Sequence, residues 1–327
     1  MAHAYLFIGP QGVGKFETAL QVAKLLNCEN FSKESGNDPC EMCSSCRRID
    51  VGNHPDVHIL SCPPEETVKI EDIRDLIVQV QLKPFESQRK IFIIRDSETL
   101  TLEAGNALLK TLEEPSPMSL IILTTAVPER NLGTIRSRCQ PIYFFPTSRG
   151  RLADYLQNDY HITKETAAFL AAYSEGCLGR ARHLQEGDFL KRKNEIIEQM
   201  IFAPANEAYL KKITADRELA REVLMVLWSW FRDALLMQQG LSEAQVIHVD
   251  RTRELKKMAL TFGHEELDAI LRQIIKATQL LNDNLNVKIA LILLKEKICT
   301  GLPNHEWRET STIVISSKPK NEENCYG

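Results

Sequence analysis

The sequence lacks long apolar runs and lacks a large excess of charge of either sign. The run Ile289–Leu294 has six residues, far fewer than the roughly 18 apolar residues that span a membrane. The 327 residues include 40 Lys and Arg against 44 Asp and Glu, a formal net charge of −4. This balance excludes a protein that is held on DNA mainly by its own bulk charge. The first ten residues have neither the basic segment nor the cleavage site of a secretory signal, so we expect a cytoplasmic protein.

Apolar segments typical of strands and helices alternate along the first 146 residues. They predict strands at 4–8, 57–60, 90–94, 120–125 and 142–145, and helices at 16–26, 70–82 and 102–112. This alternation predicts the α/β class, with a parallel sheet and helices packed on its faces. After Pro146 the apolar residues follow helical stripes, for example at 219–235 and 267–281, which predicts a helical second half. Residues from about 301 onward are rich in polar groups, which is typical of a mobile tail.

A phosphate-loop motif lies between the first predicted strand and the first predicted helix. Gly9, Gly12, Gly14 and Lys15 fit the pattern G-x-x-x-x-G-K, in which backbone N–H groups, a helix N-terminus and the lysine charge bind a phosphate. The next position should be Ser or Thr, whose hydroxyl binds Mg²⁺, but it is Phe16. The motif therefore predicts a nucleotide-binding fold. It leaves open whether the loop binds a nucleotide or is a relic retained for its packing.

The end of the third predicted strand also departs from an active nucleotide site. Active sites have a carboxylate there that holds Mg²⁺, together with a residue that acts on the attacking water. Here the apolar run ends in Arg95, and Asp96 comes one residue late. Because two magnesium contacts are damaged, we expect no ATP hydrolysis by this chain, and weak ATP binding or none.

Residues 27–54 are polar and rich in Cys, Asn and Ser, which predicts an insertion outside the core. The segment contains four cysteines, the last three of which are separated by two residues each. A closed tetrahedral zinc site needs four thiolates, and two-residue spacers let neighbouring thiolates reach one metal. The iron–sulfur pattern fails because Asp50 stands where it needs a fourth cysteine. Two alternatives stay open: buried thiols without a metal, and Cys62 as a ligand in place of the first cysteine. The favoured interpretation is a structural zinc site that folds the insertion, with the ligands Cys28, Cys40, Cys43 and Cys46.

Two segments together resemble the bacterial clamp-loader subunits of DNA polymerase III. They are Asn106–Pro115, with the sequence NALLKTLEEP, and Ile135–Cys139, with the sequence IRSRC. His3–Phe7, His54–Asp56 and Asn284–Leu291 are similar to the same family. The resemblance implies an AAA+ parallel-sheet nucleotide-binding core followed by all-helical lid and collar domains. The expected boundaries are 1–146 for the core with its zinc insertion at 28–46, 147–187 for the lid, 188–300 for the collar and 301–327 for the tail.

The family has a gamma/tau branch that resembles working ATPases and a delta-prime branch that typically has a degraded nucleotide site. Phe16 and Arg95 favour the delta-prime branch, as does Gly179, which stands where gamma/tau subunits have an arginine. The resemblance then implies a rigid stator in a ring with gamma/tau and delta subunits, which places the sliding clamp on primed DNA. It also implies that Arg138, in the Ser-Arg-Cys triplet, acts as an arginine finger on a neighbouring subunit's nucleotide.

Two other classes of function stay open at this point. The chain could be a catalytically active gamma/tau-type ATPase, against which the two damaged magnesium positions argue. It could also be a zinc-dependent nucleic-acid-binding module, against which the net charge of −4 argues.

Several further residues invite a functional interpretation, and packing explains them better. His54 is predicted to serve the turn that ends the insertion. Trp228 and Trp230, in an amphipathic helix, are predicted to pack in a helical core. Glu113 and Glu114 are adjacent at a helix end, so their side chains diverge, and we expect capping and partner contacts instead of paired acid chemistry.

Overall fold

The computed structural model describes residues 2–31, 38–63, 66–242, 245–283 and 285–301. The chain divides into two compact units, Met1–Leu184 and Gln185–Gly327. The predicted tail at 301–327 lies outside the described residues except for Gly301, and the predicted boundaries of core, lid and collar stay predictions. Among the described helices, none combines the length and the apolar character that a membrane crossing needs.

Five parallel strands form the sheet of the first unit, in the order β2-β3-β4-β1-β5. The strands are β1 (Ala4–Ile8), β2 (Val57–Leu60), β3 (Lys90–Ile94), β4 (Ser119–Thr125) and β5 (Gln140–Tyr143). Successive side chains of a strand point to opposite faces, so Ile91 and Ile93 enter one core cluster while Phe92 and Ile94 enter another. The first four predicted strands and the α/β class are confirmed.

Helices cover both faces of this sheet. The helices of the first unit are α1 (Lys15–Asn27), α2 (Ser44–Asp50), α3 (Ile70–Gln81), α4 (Leu102–Glu113), α5 (Gly133–Arg136), α6 (Arg149–Tyr160), α7 (Lys164–Tyr173) and α8 (Leu178–Glu186), the last of which ends just past the unit border. The buried faces of α3, α4 and α5 pack on one side of the sheet, and those of α1 and α2 on the other. The phosphate-loop motif begins at Gly9, directly after β1, which has a neighbouring strand on each side. The motif therefore lies at the carboxyl end of an interior strand.

The prediction of the last strand was wrong by two residues. The structure has β5 at Gln140–Tyr143, because it pairs with β1 from Tyr5 opposite Gln140 to Ile8 opposite Tyr143. The aromatic residues that suggested a later end, Phe144 and Phe145, follow the strand. β5 is last in the strand order and so forms an edge of the sheet, and all four of its residues are exposed.

The prediction that residues 27–54 lie outside the core was wrong in one respect. The insertion contains α2, whose Ile49 is only 1% exposed and packs with β-strand residues such as Ile91 and Ile93. Residues three apart lie on the same face of a helix, so Cys46 and Ile49 are both buried. One helix thus belongs to the cysteine cluster and to the core of the sheet.

The second unit consists of helices, as predicted. They are α9 (Phe189–Ile197), α10 (Glu207–Ala215), α11 (Arg217–Gln238), α12 (Thr252–Thr261), α13 (His264–Asn282) and α14 (Lys288–Gly301). The long helix α11 packs against α9, α10, α12 and α13. The packing role predicted for Trp230 is confirmed, because it is fully buried, but the one predicted for Trp228 was wrong, since it is 41% exposed. Residues two positions apart are separated by about 200° around a helix, so the rings of Trp228 and Trp230 cannot both face the same core.

Candidate functional sites

The lysine of the phosphate-loop motif is bound to its own loop. Lys15 is 6% exposed, and its Nζ donates hydrogen bonds to the carbonyl oxygens of Gly9 at 2.6 Å and Pro10 at 2.9 Å. Burial lowers the pKa of Lys15, although the charges of Asp96 and Glu98 oppose that effect. The charge that would meet a phosphate is thus directed at two carbonyl groups of the loop.

The first turn of α8 lies directly on the same loop. The N–H of Gly179 donates to the carbonyl oxygen of Gly12 at 2.8 Å. A Cβ on Gly179 would lie 3.0 Å from that oxygen, and a Cβ on Gly12, whose φ is 73°, would lie 2.7 Å from the backbone nitrogen of Arg180. The guanidinium of Arg180 lies over the ring of Tyr173, at 5.8 Å from its centre. Backbone therefore closes over the loop at the position where gamma/tau subunits are expected to have an arginine.

Phe16 and Arg95, which stand where magnesium ligands are expected from the sequence, contact each other. The guanidinium carbon of Arg95 lies 5.0 Å from the centre of the Phe16 ring, which is a cation–π arrangement. Nε of Arg95 is 3.5 Å from Oδ2 of Asp96. The backbone N–H of Asp96 donates to the hydroxyl of Thr124 at 3.1 Å. Asp96 has a left-handed backbone conformation, with a φ of 50°. The Phe16 ring, the Arg95 guanidinium and the Asp96 carboxylate thus form one group beside the phosphate-loop motif.

The four cysteines predicted as zinc ligands lie together, with all their sulfur atoms within 4.8 Å of one another. Four sulfurs bound to one Zn²⁺ at about 2.3 Å are about 3.8 Å apart, so the separations fit. Backbone N–H groups of Cys40, Cys43 and Cys46 donate to the sulfurs of Cys28, Cys40 and Cys43 at 3.5, 3.3 and 3.4 Å. N–H donors from Met42 and Cys43 lower the pKa of Cys40 to about 6, whereas burial raises the pKa of Cys28 and Cys46. The donor set fits a four-thiolate metal site.

Cys62, the alternative ligand, and His54, the turn residue at the end of the insertion, both make hydrogen bonds of their own. The Cys62 sulfur lies 3.4 Å from both the carbonyl oxygen of Glu66 and the Thr99 hydroxyl, so its one S–H can donate to either oxygen. Nδ1 of His54 accepts a hydrogen bond from the N–H of Asp56 at 3.1 Å. The alternative in which Cys62 replaces Cys28 is therefore wrong for this structure, and the role predicted for His54 in its turn is confirmed.

An ion pair fastens the insertion to α1. Lys24 is 4% exposed, and its Nζ lies 2.6 Å from Oδ1 of Asp50 and 3.6 Å from Oε1 of Glu41. Burial would lower the pKa of Lys24, but the hydrogen bond and charge of Asp50 outweigh it and raise the pKa. Because Lys24 belongs to α1, which begins at the phosphate loop, the cysteine cluster and the loop share one rigid support.

Asp56 is a buried carboxylate that the sequence did not identify as important. It is 0% exposed, and it accepts three backbone N–H bonds, from Phe85 at 2.7 Å and from Glu86 and Ser87 at 2.9 Å. Burial would raise the pKa of Asp56, but the three donors outweigh burial and lower it. The carboxylate thus fixes the segment that leads into β3. Its donors lie about thirty residues further along the chain, so no local pattern predicts them.

In the Ser-Arg-Cys triplet, a buried residue supports an arginine at the surface. Cys139 is 5% exposed, and burial raises the pKa of its thiol to about 12. The Arg138 side chain is 30% exposed. Its Nε and Nη2 both donate to Oε1 of Glu113, Nε at 2.7 Å, and its Nη1 donates to the carbonyl oxygen of Thr134 at 3.0 Å. The sequence pointed to Arg138 but not to Glu113 as its partner.

Comparisons with known proteins match most of the chain. Family models described as the DNA polymerase III delta subunit, and as its C-terminal part, match residues 1–148 and 188–296. The chain is 29% identical over 299 residues to DNA polymerase III subunit delta' of Bacillus subtilis, covering 88% of both chains. It is 31% identical over 258 residues to subunit delta' of Pseudomonas aeruginosa, covering 76% of this chain and 74% of that one. It is also 39% identical over 287 residues to subunit tau of Bacillus subtilis, covering 84% of this chain but 48% of that one.

Proposed function

The chain belongs to the DNA polymerase III delta-prime family, and from that premise we propose that it is the stator of a clamp loader. It stands in a hetero-oligomeric ring with gamma/tau and delta subunits, which places the sliding clamp on primed DNA in the cytoplasm. In this ring it hydrolyses no ATP itself. It contributes Arg138 to the nucleotide site of a neighbouring subunit.

The contact between Phe16 and Arg95 is the observation that supports the absence of hydrolysis most directly. An active site of this class needs an oxygen ligand for Mg²⁺ at each of these positions. Here the two side chains lie within 5.0 Å of each other. Two further contacts also support the absence of hydrolysis. Lys15 is bound to its own loop, and the backbone of Gly179 is hydrogen-bonded to Gly12. Weak binding of phosphate by the remaining loop amides is compatible with this arrangement.

The position of Arg138 supports a role in a neighbouring site. It follows a short surface helix after β4, and loops at the ends of parallel strands lie on the rim, where another subunit can dock. A guanidinium presents a fixed fork of N–H donors that matches a phosphate. Arginine fingers contribute about 10³–10⁵ to the rate in well-studied nucleotide hydrolases.

The experiment that tests this function is ATP hydrolysis by a loader reconstituted with only this subunit changed. Arg138→Ala should leave the ring assembled and lower clamp-stimulated hydrolysis and clamp loading in part, because one site among several is affected. Arg138→Lys should rescue little, since one ammonium cannot reproduce the fork. Arg136→Ala, which removes an exposed arginine two residues earlier, is the matched control. Unchanged hydrolysis and loading by a fully assembled Arg138→Ala loader would show that Arg138 is not the finger.

The role of the cysteine cluster in this proposal is structural. Zn²⁺ bound by Cys28, Cys40, Cys43 and Cys46 would fill a closed tetrahedral site and leave no open position for catalysis. The metal would stabilise an insertion that is too polar to fold by burial alone.

A second candidate, an active gamma/tau-type ATPase, is favoured by the 39% identity to a tau subunit. ATP turnover by the isolated chain discriminates between the two candidates. The stator shows no turnover. Turnover that is abolished by Lys15→Ala would support the ATPase.

A further inference from the structure

The guanidinium of Arg138 is held by short hydrogen bonds along one edge, whereas its terminal edge has only one long contact. A guanidinium has five N–H groups. Oε1 of Glu113 accepts two of them, from Nε and Nη2, and the carbonyl oxygen of Thr134 accepts one from Nη1. The second N–H of Nη1 makes only a long hydrogen bond, of 3.5 Å, to the hydroxyl of Ser137. The second N–H of Nη2 has no recorded acceptor among the described residues. Two N–H groups on adjacent nitrogens are the fork that binds two oxygens of a phosphate.

Both partners in this contact are held by buried neighbours. Glu113 is the last residue of α4 and follows Leu112, which is 1% exposed. Arg138 precedes Cys139, which is 5% exposed. A free arginine side chain loses much rotamer freedom when it binds a ligand. The contact with Glu113 removes part of that freedom in advance, because it joins the side chain to a rigid helix end.

From this geometry we propose that Glu113 is a positioning residue for Arg138, which holds the guanidinium with its terminal fork directed outward. The proposal rests on the proposed function of Arg138 as a finger. A carboxylate that inhibited the finger would bind the terminal fork itself, whereas Glu113 binds the edge formed by Nε and Nη2. The side chains of Arg138 and Glu113 are 30% and 48% exposed. Ion pairs of such exposure contribute little to folding stability, so its removal changes the arginine's orientation more than the fold.

The test is Glu113→Ala in the reconstituted loader, with Glu114→Ala as the matched control. Glu114 is the next residue and has the same charge as Glu113. Among the described residues, no hydrogen bond or ion pair joins the Glu114 side chain to Arg138. We expect Glu113→Ala to slow the neighbouring site about tenfold, less than the roughly 10² that misplacement by an ångström can cost. The KM for ATP should stay the same, because a finger acts mainly on the transition state. Glu113→Gln keeps a neutral acceptor, so its hydrolysis rate should lie between those of the wild type and Glu113→Ala.

A double variant separates positioning from a general structural effect. Glu113→Ala should have no further effect on the hydrolysis rate or on loading when Arg138 is already Ala, and ring assembly, measured by native mass, should stay complete. An equal loss in both backgrounds would overturn the proposal, as would an unchanged or a raised rate in the presence of Arg138. If Arg138→Ala slows the loader while Glu113→Ala does not, the finger stands and positioning by Glu113 fails. If Arg138→Ala has no effect, the finger fails, and positioning by Glu113 fails with it.

Discussion

Replacing Asp56 by Ala should destabilise the first unit more than any other single change of a carboxylate that we consider. The carboxylate accepts three backbone N–H bonds of 2.7–2.9 Å and is fully buried. Hydrogen bonds to a charged group contribute about 1.5–3 kcal/mol each. Water can reach part of the released segment, since Phe85 is 83% exposed, so we expect a total loss of about 3–5 kcal/mol in the free energy of unfolding.

The effect of Asp56→Ala should depend on pH. The pKa of Asp56 lies below the ordinary aspartate value of 3.8 in the folded chain. The stabilisation is therefore fully present above that ordinary value and is lost as the pH falls through the lower folded value. The difference in unfolding free energy between wild type and variant should accordingly be constant from about pH 7 to pH 5 and shrink at more acidic pH.

The assay is urea unfolding at several pH values, combined with amide hydrogen exchange at Phe85, Glu86 and Ser87. Asp75→Ala, which removes an exposed carboxylate on α3, is the control and should change the free energy of unfolding by about 0.5 kcal/mol or less. Faster exchange at the three amides should accompany the loss of stability. A loss below about 1 kcal/mol at neutral pH, the worth of a single neutral hydrogen bond, would refute the reasoning. A difference that persists unchanged at the most acidic pH would refute it as well.

Two further predictions concern the nucleotide loop and the cysteine cluster. The isolated chain should show no ATP turnover, and Lys15→Ala should not alter that result, because the lysine is bound to its own loop; a steady-state phosphate-release assay checks this. The purified chain should contain about one zinc, which Cys43→Ser should release while loosening residues 28–46 and leaving the sheet folded, and which Cys62→Ser should not. Metal analysis and circular dichroism measure both effects, and iron or an absence of metal in the wild type would contradict the second prediction.

The sequence predicted the parts of the fold that depend on local patterns. Continuous apolar runs identify buried parallel strands such as β3 and β4, and both lie where the runs are. The edge strand β5 is exposed, so its position is determined by pairing with β1 and not by hydrophobicity. The burial of Ile49 was not predicted either, because a polar, cysteine-rich segment hides a single apolar residue that faces the sheet.

The motifs of the candidate sites could be recognised, but the contacts of their residues could not. The cysteine spacing predicted a cluster that the structure brings together. By contrast, the hydrogen bond between Gly179 and Gly12 and the ion pair between Glu113 and Arg138 join residues that are far apart in the chain. Such contacts depend on how the elements pack, and a single sequence has no periodic signal for them.

The edge strand β5 also affects how the chain behaves beside copies of itself. The N–H of Phe144 points to β1, where it donates to the carbonyl oxygen of Ile8. Since N–H groups alternate in direction along a strand, those of positions 141 and 143 point away from the sheet. Position 141 is proline, which has no N–H. The outer edge of β5 therefore offers two carbonyl acceptors but a single N–H donor, that of Tyr143. An edge with one donor disfavours regular pairing with a foreign strand, which counts against edge-to-edge aggregation of the unassembled subunit.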